Sequence, residues 1–161
     1  MEPTLRLALF EPDIPQNTAA IVRTCSCLGV ACEVIEPCGF VFGGQQMRRA
    51  GMDYLDHVVL TRHLDWHAFQ AAYPGQRRIL MTTKAAQSYT AHAFQPGDIL
   101  IMGRESAGVP DFVHDAADAR LTIPMVAGMR SLNMAVSAAM VAAEVLRQLD
   151  AFPKLEINLH V

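Results

Sequence analysis

Three short polar segments hold the side chains of this chain that could do chemistry: Asn17–Arg23, Gly103–Pro110 and Ile123–Asn133. Each segment lies close behind an apolar run that is typical of a buried strand. In a parallel α/β sheet, the loops that follow strands emerge at the carboxyl edge, and ligands bind there at a topological switch point. The sequence therefore predicts one site built from all three segments, and it indicates an enzyme.

The middle segment places Glu105 between Gly103 and Gly108. Glycine permits a positive φ and close approach of a ligand to the backbone. The Glu105 carboxylate can accept a hydrogen bond from a ribose hydroxyl or an amine. The segment lacks the Gly-x-Gly-x-x-Gly spacing and does not follow the first predicted strand, so a dinucleotide site is poorly supported.

The first and third segments open predicted helices. Asn17 is expected to be the N-cap of the first helix, and Ser131 is expected to cap the last one. The free N–H groups and positive dipole at such a helix start suit a carboxylate or a phosphate. Asn133 is expected near the mouth of the site. Arg23 lies nearly two turns into the first helix, and from its position alone it could equally be an ordinary solvated arginine.

Alternating strand and helix patterns predict the elements that position these segments. The predicted strands are Leu5–Phe10, Val30–Glu36, His57–Thr61, Arg78–Thr82, Ile99–Met102 and Arg120–Pro124. The predicted helices are Asn17–Leu28, Gly44–Ala50, Trp66–Tyr73, Asp111–Ala117 and Ser131–Leu149. This alternation favours an α/β fold with a mostly parallel sheet and helices on both faces. With 161 residues and no linker, the chain is predicted to form a single domain over residues 1–161.

The last predicted helix is apolar around most of its circumference. Its polar residues Asn133, Ser137, Glu144 and Gln148 fall on one narrow stripe. A surface helix normally shows the reverse, an apolar stripe of limited width. We therefore expect more than one partner to bury this helix. Either it is the central core helix of a monomer, or part of its apolar face packs on a second subunit.

Composition excludes several classes of protein. An apolar content of 52% with 18% charged residues argues against disorder. A net charge of −3 gives no global basic footprint for nucleic acid, although a local patch is compatible with it. No apolar run approaches the roughly 18 residues of a membrane span, and the N-terminus lacks a targeting pattern. No membrane association and a cytoplasmic location are therefore predicted.

The candidate metal ligands do not have the spacing of a metal site. The four cysteines are Cys25, Cys27, Cys32 and Cys38. They include no Cys-x-x-Cys pair and are predicted to be buried reduced thiols. His63 and His67, four apart on a predicted helix, could chelate a metal, but no third ligand is evident. No metal is predicted.

Four stretches together resemble one known family: Glu11–Thr18, Arg48–Tyr54, Thr82–Lys84 and Arg130–Asn133. They resemble the motifs of the SPOUT superfamily, the trefoil-knotted S-adenosylmethionine-dependent RNA methyltransferases. The similarity is to its minimal branch, the tRNA wobble-nucleotide 2'-O-methyltransferases, which consist of the catalytic domain alone. The chain departs from this pattern at Ala19-Ala20, where many relatives have Gly-Asn. It also departs in the loop after Gly103, where its arginine precedes the glutamate, whereas in many relatives the arginine follows it.

The resemblance implies a C-terminal trefoil knot, a homodimer and S-adenosylmethionine held in the knot. The implied cofactor contacts are Met81, Gly103, Ile123 and Ser131. The implied catalytic set is Asn17, Arg23, Glu105, Ser131 and Asn133. The candidates for phosphate contacts with tRNA are Arg48, Arg49, Lys84 and Arg130, because such charges supply sequence-independent RNA affinity.

The implied reaction moves a methyl group from a sulfonium to a ribose 2'-hydroxyl at wobble position 34, on a cytidine or a modified uridine. A guanidinium is a poor proton acceptor, so Arg23 is expected to clamp phosphate and the developing alkoxide. Another tRNA or rRNA site remains an alternative, as does a non-catalytic RNA-binding or ribosome-assembly module that retains the cofactor pocket. A small-molecule enzyme with a nucleotide cofactor is disfavoured by the missing glycine fingerprint.

Overall fold

Strands alternate with helices through residues 1–50 and 55–156, the part of the chain that the computed structural model describes. The strands are β1 (Leu5–Phe10), β2 (Ala31–Ile35), β3 (Leu60–His63), β4 (Arg78–Met81), β5 (Gln87–Ser88), β6 (Asp98–Met102) and β7 (Ala119–Thr122). The helices are α1 (Pro15–Leu28), α2 (Gln45–Arg49), α3 (Trp66–Ala72), α4 (Asp111–Ala116) and α5 (Met134–Gln148). The predicted α/β class is confirmed. Residues 51–54 of the motif match Arg48–Tyr54 lie outside the described residues.

The strands form one seven-stranded sheet in the order β3-β2-β1-β6-β4-β7-β5. Every pairing between these strands is parallel. In the central register, Leu9 lies opposite Val34 on one side and Met102 on the other. Because β6 inserts between β1 and β4, the carboxyl ends of β1, β6, β4 and β7 lie side by side. The prediction of a mostly parallel sheet is confirmed.

Apolar side chains cover both faces of the sheet, as the continuous apolar strands predict for a parallel sheet. Leu5, Leu7 and Leu9 pack with α1 and α5 on one face. Ala8 and Phe10, from alternate positions of the same strand, pack with α3 and α4 on the other face. All five side chains are almost completely buried. Helices therefore lie on both faces of the sheet, as predicted.

Helix α1 begins two residues earlier than predicted, at Pro15. Proline suits the first helical position because its φ is already helical and its missing N–H has no partner there. Asn17 therefore lies inside the helix and is buried, so its predicted role as N-cap is wrong. The helix ends at Gly29, which adopts a φ of 68° and donates its N–H to the Cys25 carbonyl.

Helix α5 begins at Met134, so the predicted capping role of Ser131 is also wrong. The N-cap is Asn133, whose Oδ1 accepts from the N–H groups of Ala135 at 2.8 Å and Val136 at 3.2 Å. An asparagine in this position is among the best caps. Ser131 is left in the loop before the helix.

Strand β3 begins three residues later than predicted and carries His63 at its end. The interpretation of His63 and His67 as two histidines on one helix is therefore wrong, because only His67 lies on α3. The imidazole Nε2 of His63 instead lies 2.8 Å from Glu33 Oε2. Strand β5, only two residues long, was not predicted. Within residues 1–50 and 55–156, no cluster of three or more His, Cys, Asp or Glu side chains could hold a metal ion.

The four cysteines are all free thiols. Cys25 and Cys32 are buried, as predicted, and Cys38 is partly buried. Cys27 is exposed because it lies on the solvent side of α1, so the prediction that all four are buried is wrong. Among the described residues, no helix is both long enough and apolar enough to cross a membrane.

Candidate active site

A cavity of about 680 Å³ opens at the carboxyl edge of the sheet, where β4, β6 and β7 end. Its volume is in the usual range for small-molecule and cofactor sites. The walls come from four stretches: residues 81–84 after β4, the loop after β6, the end of β7, and residues 131–134 before α5. Ile14 and Asn17 of the first segment complete it. The three polar segments of the sequence therefore meet at one edge of the sheet.

The structure brings most of the predicted site residues together and leaves the arginines outside. The predicted residues that line the cavity are Asn17, Met81, Lys84, Gly103, Glu105, Ile123, Ser131 and Asn133. Arg23, Arg48, Arg49 and Arg130 do not line it and lie on exposed surface. Arg23 is set apart because it lies on the outer face of α1, six residues beyond Asn17.

Three polar side chains at the cavity form a chain of hydrogen bonds, which we call the cavity network: Asn17, Glu105 and Asn133. The Asn133 Nδ2 group donates to Asn17 Oδ1 at 2.9 Å. The Asn17 Nδ2 group donates in turn to Glu105 Oε1 at 3.4 Å. The network links α1, the loop after β6 and the start of α5, which are distant in sequence.

The helix cap determines the direction of the cavity network. Because Asn133 Oδ1 accepts the first N–H groups of α5, its Nδ2 group must point away from the helix, toward Asn17. Asn17 must then accept with its oxygen and present its own amide protons to Glu105. Both amide orientations therefore follow from hydrogen-bond complementarity. The same side chain, Asn133, thus caps α5 and sets the amide orientations in the cavity network.

Glu105 is the acidic group of the site and is half-buried. Its Oε2 accepts the main-chain N–H of Asp13 at 2.9 Å. Burial raises the pKa of Glu105, and the neighbouring Asp13 side chain raises it further. At this position the carboxyl group can accept a hydrogen bond from a ligand hydroxyl when it is ionised, and donate one when it is protonated.

The two glycines of the middle segment close its loop. Arg104 and Gly108 exchange main-chain hydrogen bonds of 2.9 and 2.8 Å, which make a narrow turn. A Cβ on Gly103 would lie 2.8 Å from the Gly108 carbonyl carbon, and Gly108 has a φ of 65°. Both positions therefore require glycine for the turn itself. The sequence analysis gave a positive φ and close approach of a ligand as the two uses of these glycines, and Gly108 has the positive φ.

Three further ionisable residues at the site were not predicted. Arg104 lines the cavity and forms an ion pair with Glu11 at 2.9 Å, which ties the loop to the end of β1. Asp111 and His114 of α4 also line it. The Arg120 Nε donates to the His114 carbonyl at 2.9 Å. Helix α4 itself was predicted, and the short connection from the middle segment was the sequence signal that could have placed it at the site.

Comparison with known proteins agrees with this architecture. The model of the SpoU rRNA Methylase family matches residues 4–143. The chain belongs to this family. The resemblance to SPOUT methyltransferases seen in the sequence is therefore confirmed.

Two relatives match over nearly the whole chain. A curated tRNA (cytidine(34)-2'-O)-methyltransferase of Beijerinckia indica is 56% identical over 151 residues, which cover 92% of this chain and 94% of the relative. A solved structure concerned with 2-OH methylation of C/U34 on tRNA is 38% identical, with a TM-score of 0.87, and covers 92% of this chain and 97% of the other.

A more distant SpoU methyltransferase has a known cofactor complex. AviRb of Streptomyces viridochromogenes, solved with AdoMet, is 22% identical with a TM-score of 0.80. The match covers 93% of this chain and 62% of that chain. At this level of identity the comparison shows the shared fold.

Proposed function

We propose that this chain transfers a methyl group from S-adenosylmethionine to the ribose 2'-hydroxyl of nucleotide 34, the wobble position of tRNA. One observation carries the proposal: 56% identity to a relative named for this activity, over 92% of the chain. The cavity supports it independently, because it gathers polar groups from distant segments at the sheet edge where α/β enzymes bind ligands.

The residues at the cavity fit a nucleoside cofactor. Met81 and Met134, each 9% exposed, give apolar wall against which a purine can pack. Thr82, Glu105 and Ser131 place polar groups around it that suit ribose hydroxyls. When bound, S-adenosylmethionine supplies a methyl group activated by a sulfonium. The residues proposed to hold it are Met81, Gly103, Ile123 and Ser131.

The cavity network is proposed to orient the acceptor ribose. Asn17, held between Asn133 and Glu105, has no freedom to rotate its amide. A rigid arrangement of this kind lowers the barrier by positioning, since in-line displacement needs oxygen, carbon and sulfur aligned. Glu105 of this network and the neighbouring Ser131 are also proposed to take part in catalysis. The proton of the hydroxyl passes to water or to another group.

Arg23 is proposed to clamp a substrate phosphate and the developing alkoxide, although it lies outside the cavity of its own chain. A homodimer would explain this placement, since a substrate held between two copies could reach exposed surface as well as the cavity. An apolar stripe on the outer side of α5 supports the dimer. Val136 and Met140, one turn apart on this helix, are 50% and 37% exposed, and Leu132, which precedes the helix at the cavity, is 40% exposed. Such a stripe is typical of a helix face that packs on a partner.

Four exposed cations are proposed to contact tRNA phosphates: Arg48, Arg49, Lys84 and Arg130. Lys84 lines the cavity, and the two neighbouring arginines end α2. Because the whole chain is acidic, with a net charge of −3, tRNA affinity depends on such a local group. Removal of each cation should weaken binding and reduce its salt dependence.

The remaining parts of the proposal concern the form of the protein. Residues 1–161 are proposed to form one domain whose C-terminal part is a trefoil knot. The strand order supports the knot, because β6 inserts between β1 and β4 and α5 then packs back against β1 and α1. A cytoplasmic location is proposed because the substrate is tRNA.

The test incubates the protein with labelled S-adenosylmethionine and undermodified tRNA, then maps 2'-O-methyl groups by nuclease digestion and mass spectrometry. The expected product carries the methyl group on the ribose of nucleotide 34. Transfer to another tRNA position or to rRNA would redirect the substrate assignment. Cofactor binding without transfer to any RNA would overturn the enzymatic proposal in favour of a non-catalytic RNA-binding module.

The variant Arg23→Ala tests the phosphate clamp in the same assay. We expect turnover to be lost while calorimetric binding of S-adenosylmethionine is retained, because Arg23 does not line the cavity. Full activity in this variant would show that Arg23 has no catalytic role.

A further inference from the structure

Asp13, in the turn between β1 and α1, is bound to the loop after β6 through both its main chain and its side chain. Its N–H donates to Glu105 Oε2 at 2.9 Å. Its carboxylate Oδ2 accepts the hydroxyl of Ser106. One residue outside the cavity lining therefore holds two consecutive residues of the loop that carries the acidic group of the site.

Tight packing leaves the Asp13 side chain little room to move. Gly39, from the segment after β2, presses on it so closely that a Cβ at position 39 would lie 2.7 Å from Asp13 Cβ. The Gly39 N–H also donates to the Pro12 carbonyl at 2.9 Å. The second carboxylate oxygen of Asp13 is buried and has no hydrogen-bond partner among the described residues. A buried carboxylate oxygen without a hydrogen-bond partner is costly to ionise.

The two carboxyl groups influence each other's protonation. Glu105 lowers the pKa of Asp13, and the Ser106 hydrogen bonds lower it further against the opposing effect of burial. Burial, followed by the Asp13 side chain, raises the pKa of Glu105. When one proton is shared by two neighbouring acids, it therefore resides on Glu105 and the charge on Asp13.

Other ionisable groups around this pair come from four segments. Those near Asp13 and Glu105 are Glu11 at the end of β1, Glu36 and Cys38 after β2, Arg62 on β3 and Arg104 in the loop. Arg104 lowers the pKa of Asp13 and is itself paired with Glu11 at 2.9 Å. Arg62 is likewise paired with Glu36. Both arginines therefore have an acidic partner of their own. Asp13 is the acid whose main-chain N–H contacts the Glu105 carboxylate.

We propose that Asp13 is a positioning residue of this site: it holds the Glu105 carboxyl group against Asn17 and determines the pH range in which that group can accept hydrogen bonds. The inference rests on the proposed function only in that Glu105 acts in methyl transfer. In its ionised form Glu105 accepts from Asn17 and from a ribose hydroxyl, and in its protonated form it loses acceptor capacity. Loss of the Asp13 charge should let Glu105 ionise at lower pH.

The first experiment titrates Glu105 directly in the full chain, by NMR of ¹³C-labelled glutamate carboxyls. The Glu105 signal is assigned from its absence in Glu105→Gln. Asp13→Asn keeps the main-chain N–H and an oxygen for Ser106 but removes the charge. In Asp13→Asn we expect Glu105 to titrate at a lower pH than in the wild type, because the Asp13 side chain raises its pKa. The matched control Asp56→Asn, at an exposed acid away from the cavity, should leave it unchanged.

The second experiment measures the pH profile of single-turnover methyl transfer with saturating S-adenosylmethionine. The acid limb should move to lower pH in Asp13→Asn by the shift seen in the titration. Ser106→Ala should give a smaller shift in the same direction, because loss of the hydroxyl makes Asp13 compete better for the proton. Ser106→Ala also provides the test of the inference if Asp13→Asn does not fold.

The two experiments separate failure of the inference from failure of the proposed function. An unchanged Glu105 titration in both variants would overturn the role of Asp13, even in an active enzyme. An inactive wild-type protein would instead overturn the proposed function, and the NMR titration would still decide whether Asp13 controls Glu105. A shifted titration with an unchanged acid limb would show that Asp13 acts on Glu105 but not on the reaction, and it would overturn the positioning role.

Discussion

The cavity network and a second polar group, which we call the buried cluster, are built alike but differ in access. The buried cluster consists of Arg6, Glu33 and His63, on three neighbouring strands. Arg6 Nη1 donates to Glu33 Oε1 at 2.7 Å, and His63 Nε2 lies 2.8 Å from Glu33 Oε2. Glu33 is 0% exposed, and the ring of Tyr73 covers the Arg6 guanidinium at 4.5 Å. None of these residues lines the cavity at the carboxyl edge.

The comparison separates two uses of buried polarity. In the buried cluster a carboxylate is paired with a cation and sealed from solvent, so the partners satisfy each other and leave nothing for a ligand. In the cavity network a half-buried acid is held by neutral amides and opens onto a space of about 680 Å³. A functional polar group is therefore distinguished by contact with a cavity and by hydrogen-bonding atoms that remain available to a ligand, and burial alone does not distinguish it.

The largest expected effect is on stability, from Glu33→Ala. Removal of the anion leaves Arg6 buried without its buried partner, and such a loss typically costs about 3–5 kcal/mol of unfolding free energy. The matched control is Glu2→Ala, because Glu2 pairs with the same arginine but its side chain is 81% exposed. It should cost at most about 1 kcal/mol. Urea unfolding measures both, and equal losses would contradict the division between sealed and exposed pairs.

Asn17→Ala should affect activity more than stability. It breaks the cavity network at its centre, so we expect methyl transfer to fall by about 10²–10³-fold, the range for loss of one preorganised polar group. Gln16→Ala, at the exposed neighbouring position of α1, is the control and should be fully active. Activity within a few-fold of wild type in Asn17→Ala would show that the network does not orient the substrate.

Asn133→Asp separates the two roles of Asn133. The aspartate keeps the oxygen that caps α5 but cannot donate to Asn17, so stability should stay near that of wild type. Methyl transfer should fall by about 100-fold, as expected for a misplaced orienting group. Asn133→Ala should lose activity similarly and also about 1 kcal/mol of stability, through the lost cap. If aspartate preserves activity, the donor to Asn17 is dispensable.

The smallest expected effect comes from replacing the whole buried cluster with apolar side chains. The triple variant is Arg6→Met, Glu33→Leu, His63→Phe. Its free energy of unfolding should lie within about 1 kcal/mol of the wild-type value or exceed it, because no buried charge is left without a partner. Activity per folded molecule should be unchanged. The same urea titration tests this. A loss as large as that of Glu33→Ala would instead mean that the cluster stabilises the fold through its ion pair.

Much of the fold could be predicted because apolar runs and helix-stop signals are local. The strand Leu5–Phe10 has the predicted bounds, and α1 ends at Leu28, as predicted. The third strand was displaced because β3 is an exposed sheet edge with little apolar periodicity. Strand β5 is too short to leave a pattern.

The candidate site shows the same division. The types and approximate order of its residues were predictable, and Asn17, Glu105 and Asn133 were all identified as site residues. Their mutual contacts were not, because Asn17 and Asn133 are 116 positions apart in sequence. Capping reasoning assigned the caps to Asn17 and Ser131, since it considers only the residue and the helix that follows. In the structure, Ile14 is the N-cap of α1 and is followed by Pro15 at the first helical position, and Asn133 is the N-cap of α5.

The sequence by itself determined the α/β alternation, the apolar content of both sheet faces and the placement of polar segments after strands, because these depend on side-chain chemistry and local backbone preference. Only the tertiary structure decided that β6 inserts between β1 and β4, which brings the ends of four strands together. Only the tertiary structure placed Asp13 beside Glu105 and left Arg23 on outer surface. Such contacts join distant segments, and their free energy depends on burial and geometry that no local pattern records.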